Sequence, residues 1–235
     1  TMTANEDLTI GQTVGVSNFV TGDKIARAAR SNQEINMGIT DASTLRYPNL
    51  MCPIGGDKFA FLSMQNSDDG LYVTVGDVDT DTLTTTLGTA VAITNDIFND
   101  VYAYCICKLD TDKFIVLYRE DASTTIIKYR IGTVSGTTIT LGAAATFTTG
   151  ASQVDSIAST YLSTDKAVMF YGCATPTDSK VITFTTTGTA TNVVGATAAV
   201  GTTLDNNITH ISIKKTDTDT FILASASGYA QVGTC

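Results

Sequence analysis

The chain has 235 residues, 43% of them apolar, and a formal charge of −9. That acidity excludes nonspecific attraction to nucleic acid or anionic lipid, and no apolar run approaches the ~20 residues that a membrane-inserted helix needs. Threonine points to the fold class: 43 residues, against 3 prolines and no tryptophan, which suits pleated, half-exposed strands rather than helices.

The opening "TMTANEDLTI" lacks the basic region and apolar stretch of a secretory leader. Residues 7–20 then read as a strand, with Ile10-Gly11-Gln12-Thr13 at its centre. Residues 21–47 contain "GDKIARAARS", which offers two readings. Ile25, Ala28, Ala29 and Asn32 would share one face of a short helix. The same stretch also resembles "GDKFAFLSMQ" further along, and a shortened β-meander is the reading we favour.

From residue 48 the chain repeats. A turn built on "DK" recurs at Asp57, Asp112 and Asp165, and as "DTDT" at Asp219, with gaps of 55, 53 and 54 residues. An aliphatic-Gly pair recurs at Leu87-Gly88, Leu141-Gly142 and Val194-Gly195, with gaps of 54 and 53. Two independent markers with one period define a structural repeat. In the second unit, four alternating or apolar runs (101–109, 113–120, 125–134 and 137–149) are separated by "DTD", "DAST" and "SG". Connections this short predict antiparallel meanders.

The expected fold is therefore all-β: a β-propeller of four-stranded antiparallel blades, four or five in number. It forms one domain over residues 1–235, with full blades at 48–98, 99–153 and 154–207. The last unit, 208–235, stops before its outer strand. Running from Val194 through Cys235 and on to Ile10 gives 51 positions, close to one period. The strand at 7–20 is thus expected to close the ring beside 229–235, removing an exposed edge.

No site is expected to be catalytic. His210 is the single histidine and no nucleophile is positioned for it; a polar group at a channel or rim is its reading. Asp77, Asp79 and Asp81 stand at i, i+2 and i+4 like the start of a calcium loop. They lack the glycine and the bidentate glutamate of an EF-hand, so they read as solvated turn residues, with Ca²⁺ as the only cofactor the spacing suggests. Asp110, Asp112, Asp217 and Asp219 read the same way. Five cysteines without CxxC spacing read as buried thiols, Cys105 and Cys107 on one strand face, with a disulfide from Cys235 left open. Tyr102, Tyr104, Tyr118, Tyr129, Tyr161 and Tyr171 read mainly as packing between blades, with a glycan contact among them as the alternative. The sequon at Asn207 carries weight only in a secretory pathway. Five residues before each turn aspartate stand Cys52, Cys107, Thr160 and Lys214, too mixed a set for repeated binding sites.

"YRIGTVSGTTITLGAAATFTTG" resembles the repeats of bacteriophage tail-fibre and other virion-appendage proteins, well over 109–150 and loosely over 71–94 and 180–203. The opening "EDLTIGQTVGVSNFVTGDKIARAARS" is similar in style to β-rich phage structural modules. The resemblance implies a virion or extracellular part that is structural or adhesive and not enzymatic. Its partners would be itself, other virion or surface proteins, or a host surface molecule or glycan. It assigns no ligand-binding residues. Two other readings stand beside it. One is a filament subunit polymerising by strand exchange. The other is a propeller glycoside hydrolase, for which the three glutamates (Glu6, Glu34, Glu120) are a thin supply of carboxylates.

Overall fold

The computed structural model describes residues 14–20, 23–28, 50–65, 70–82, 84–95, 104–119, 126–148, 154–173, 179–187, 190–192, 198–199, 211–225 and 230–234. Among these residues every regular element is a strand, and every strand pair is antiparallel.

Three sheets repeat one plan. The first holds β3 (Leu50–Gly55), β4 (Lys58–Gln65), β5 (Gly70–Asp79), β6 (Thr84–Leu87) and β7 (Val91–Thr94). The second holds β8 (Tyr104–Asp110), β9 (Lys113–Arg119), β10 (Ile126–Ser135), β11 (Thr138–Leu141) and β12 (Ala145–Thr148). The third holds β13 (Val154–Ser163), β14 (Lys166–Cys173), β15 (Lys180–Thr187), β16 (Ala190–Asn192) and β17 (Ala198–Ala199). In each, the first three strands form a meander and the third is flanked by two short strands. A fourth sheet has only β18 (Ile211–Asp217), β19 (Thr220–Ser225) and β20 (Ala230–Thr234). The meanders match the sequence-based expectation. The fourth run of each unit does not stay whole: it breaks at the aliphatic-Gly pair, where Gly88 N–H donates to Val75 O at 2.8 Å and Gly142 N–H to Ile131 O at 2.8 Å.

The sheets stack face to face in chain order. Their first strands pack on one another in succession, β3 on β8, β8 on β13 and β13 on β18. Three apolar cores lie between them. Leu62, Val73 and Val75 meet Ile106, Phe114 and Val116 between the first two sheets. Ile115, Leu117 and Ile131 meet Met169, Tyr171 and Phe184 between the next two. Val168 and Phe170 meet Ile213, Phe221 and Leu223 in the last. This explains why the second strands read as unbroken apolar runs: a sheet covered on both faces buries both sides of its central strand, and all of Lys113–Arg119 is buried. The outermost strands instead alternate exposed threonines with half-buried residues, as in "TTTL" and "TITL".

One ring recurs in register. Phe59 lies directly opposite Gly76, Phe114 opposite Gly132 and Phe221 opposite Gly233. In the third sheet the pair is reversed, with Ala167 opposite Phe184. Each glycine is the hole that receives the ring: a Cβ on Gly132 would stand 2.2 Å from Phe114 Cζ.

At the N-terminus, β1 (Val14–Val20) forms a two-stranded sheet with β2 (Asp23–Ala28). Residues 23–28 are therefore strand, and the helical reading of "GDKIARAARS" fails there. The expected closure is not among the described pairs: Val14–Val16 bond Ala26–Ala28, and β20 bonds β19. Residues 7–13 and 235 lie outside the described residues.

Candidate functional site

Chemistry concentrates where the first strands end. Each ends in a two-residue turn (Gly56-Asp57, Thr111-Asp112, Thr164-Asp165 and Thr218-Asp219) before the second strand begins. Asp112 and Asp165 take left-handed backbone, φ 57° and 59°, which a short polar side chain tolerates better than most residues.

The turns are wired to one another. Lys58 Nζ lies 2.9 Å from Asp112 Oδ1, Lys113 Nζ 2.5 Å from Asp165 Oδ1 and Lys166 Nζ 2.7 Å from Asp219 Oδ1. Asp112 N–H also donates to Ile54 O at 3.0 Å, and Asp165 N–H to Leu109 O at 2.7 Å. The lysine of each "DK" thus reaches the aspartate of the next copy. Asp112 and Asp219, read from the sequence as solvated turn residues, join sheet to sheet as Asp165 does, and Asp219 stays solvated as well, its side chain 55% exposed. Lys113 is the most enclosed, 8% exposed, and its Nζ also donates to Thr186 Oγ1 at 3.1 Å. The Lys113–Asp165 bond, with a second that Thr186 Oγ1 donates to Asp165 Oδ1 at 3.0 Å, holds the Asp165 carboxyl below the usual carboxylate range, the Lys113 bond being the largest cause. Asp110 and Asp217 do hold their own turns, accepting from Thr111 N–H at 2.8 Å and Thr218 N–H at 2.7 Å.

Asp77, Asp79 and Asp81 are put to separate uses. Asp79 Oδ1 accepts from Asp81 N–H at 2.9 Å and Thr82 N–H at 3.0 Å, and the Thr82 backbone bond leads in lowering its pKa. Asp77 lies opposite Lys58 on β4. Among the described residues no three His, Cys, Asp or Glu side chains converge as metal ligands.

In the column before the turns Cys52 and Cys107 are buried thiols, Thr160 is half-buried and Lys214 is exposed. Cys52, Cys105, Cys107 and Cys173 are free and buried, and Cys105 and Cys107 face the same core, both as expected. Burial pushes the Cys52 thiol up to about 11, offset in part by Lys108 and Lys214. It pushes Cys105 to about 12 and Cys107 well above its ordinary value. The native state thus favours the neutral thiol, and that stabilisation is complete below the unfolded-state pKa of about 8.5. It is lost as pH rises through the folded values. Urea midpoints are therefore expected to fall from about pH 9 upward, and to fall less in Cys105→Val than in wild type. An equal fall in both would contradict this.

One position nearer the turn lies Tyr161, already named among the tyrosines, in a grouping with two lysines that the sequence reading did not single out. Tyr161 is half-buried, with Lys108 Nζ at 5.4 Å and Lys215 Nζ at 5.2 Å from its ring centroid. Lys215 also donates to Leu162 O. Lys108, Tyr161 and Lys215 each stand four residues before a turn aspartate, so the same period could have found them. The arrangement can offer ammonium donors beside an aromatic ring. The other tyrosines pack as expected: Tyr104 and Tyr118 in the first core, Tyr129 and Tyr171 in the second. His210, Asn207, Tyr102 and Cys235 lie outside the described residues. No known protein family, curated protein or solved structure matches the chain.

Proposed function

We propose that the chain is a β-propeller of four or five blades and works without catalysis, as an extracellular structural and adhesive part of virion tail-fibre type that binds a host surface molecule or glycan. The observation that carries this reading is the turn-to-turn ladder, Lys58 to Asp112, Lys113 to Asp165 and Lys166 to Asp219. It commits the repeated charged residues to holding successive sheets, which is what a scaffold does with its polar chemistry. Two further observations support a ring. The first strands pack in succession, β3 on β8, β8 on β13 and β13 on β18, and the three full sheets share one strand plan.

The ligand face on this reading is the turn end, where Tyr161 lies between Lys108 and Lys215. Sugar rings pair apolar C–H faces with aromatic surfaces and hydroxyls with donors. The test is labelled chain on an array of glycans and on whole bacterial surfaces. Binding to a defined class that is lost in Tyr161→Ala is expected. Binding to nothing on either surface would overturn the adhesive reading.

A further inference from the structure

We propose that Lys108, Tyr161 and Lys215 form a binding site for an acidic saccharide, a sugar unit that carries a carboxylate or a sulfate. This deepens the adhesive reading and rests on it for the choice of a sugar; the preference for an anion stands on the lysines alone.

Three lysines of the turn end are already taken. Lys58, Lys113 and Lys166 each lie 2.5–2.9 Å from an aspartate of the next sheet. Lys108 and Lys215 differ from them: among the described residues neither has a carboxylate within ion-pair reach. Lys215 Nζ donates to Leu162 O, which leaves two of its three N–H groups for other acceptors. The two ammonium groups nonetheless converge, 5.4 and 5.2 Å from one ring centroid. They come from the sheets on either side of Tyr161, because β13 packs on both β8 and β18.

The register explains why a ring stands between them. Lys108 lies opposite Phe114 and Lys215 opposite Phe221. In the third sheet the same place is held by Tyr161, opposite Ala167, and the phenylalanine has moved to the far side of Ala167 as Phe184. The first sheet has Pro53 there, opposite Phe59, and adds no charge. The column therefore carries a cation, a ring and a cation in succession. β8, β13 and β18 each stand at one end of their sheet's strand order, so the column follows strand edges with no bonded neighbour among the described residues. Lys108 and Tyr161 are half-buried and Lys215 is exposed, which leaves all three within reach of a solute.

A formal charge of −9 repels anions from the molecule as a whole, so an anion is held only where cations are grouped and unpaired. Two ammonium groups beside one ring make such a place. Each can donate a charge-assisted bond to a carboxylate or sulfate oxygen, and the ring offers a surface to the C–H face of the sugar that bears it. A neutral sugar keeps the ring contact and loses the charge-assisted bonds; an inorganic anion keeps the bonds and loses the ring.

Two measurements on the full chain separate these contributions. One is an array that pairs carboxylated and sulfated glycans with their neutral counterparts; the other is a titration with inorganic sulfate, followed by the NMR signals of the lysine Cε atoms. The expected hits are acidic glycans, the two arms showing which anion is preferred. Lys108→Gln/Lys215→Gln should weaken them by about tenfold or more, since two charged donors are lost. Lys180→Gln/Lys214→Gln removes the same charge elsewhere, Lys180 lying opposite Tyr171 and Lys214 on the other face of β18, opposite Ile222. It should leave acidic hits within about twofold of wild type, because charges outside the site are screened. Lys108→Arg/Lys215→Arg keeps both charges and should retain most of the binding, which a folding defect at these positions would not allow. Sulfate should shift Cε of Lys108 and Lys215 and leave that of Lys180 in place. Hits on neutral glycans alone, or equal losses in the two Gln pairs, would overturn the acidic site and leave adhesion standing. Sulfate shifts at Lys108 and Lys215 without any glycan hit would uphold the anion site and overturn the adhesive reading. Neither shifts nor hits would overturn both.

Discussion

Gly132→Ala is expected to destabilise the chain by about 2–3 kcal/mol, at the upper end of what overpacking a core costs. The added methyl would stand 2.2 Å from Phe114 Cζ and 2.6 and 2.7 Å from two further ring carbons. The ring cannot swing aside, because Phe114 is fully buried between the first two sheets. Phe114→Ala alone removes the ring and should cost about 3–5 kcal/mol. The two changes share one space, so they should not add. Phe114→Ala/Gly132→Ala is expected to match Phe114→Ala to within about 1 kcal/mol, as read by urea denaturation followed by circular dichroism. Full additivity of the two losses would show that ring and glycine are independent. The third sheet supplies a natural version of the exchange, Ala167 opposite Phe184, so Phe114→Ala/Gly132→Phe should recover part of the lost stability.

The period was legible because the residues that mark it bond to one another. Lys58 and Asp112 are 54 positions apart and in contact, so the turn spacing in the sequence is the inter-sheet contact seen end-on. The all-β class followed from threonine, and the meanders from turns of two residues. The split of each fourth run was hidden, because it depends on how closely two sheets approach: a Cβ on Gly88 would stand 2.1 Å from Thr137 O of the next sheet. A pattern along the chain shows that a glycine recurs but not which backbone comes up against it. Arg119 was unreadable for the same reason. It ends a strand as a surface arginine would, yet it is buried, with Asp155 of the next sheet 3.8 Å from its Nη1. Tyr161 shows the opposite case. Its spacing to the turn matches that of Lys108 and Lys215, and the grouping escaped notice because two residue types, lysine and tyrosine, fill one column.

The ladder itself makes the second large prediction, an asymmetry between the two ends of one ion pair. Lys113 is 8% exposed, whereas about a third of the Asp165 side chain meets solvent. Removing the aspartate's charge leaves an enclosed ammonium whose other bond among the described residues is to Thr186 Oγ1, and breaking a fully buried pair in this way costs about 3–5 kcal/mol. Solvent at Asp165 screens the pair, so Asp165→Asn should cost about 2 kcal/mol. Asparagine also keeps a residue suited to φ 59°, so backbone strain does not enter. Lys113→Met removes the charge that is costly to bury and leaves Asp165 able to turn to water. It should cost less than half as much. Acid checks the same pair. The folded pKa of Asp165 is depressed, so its contribution is present above the unfolded value of about 3.9 and is lost as pH falls through the lower folded value. Below that point wild type and Asp165→Asn should converge in urea midpoint. Losses of equal size from Asp165→Asn and Lys113→Met, or a gap that persists in strong acid, would mean that the pair is an exposed contact and that the sheets are held by their apolar cores alone.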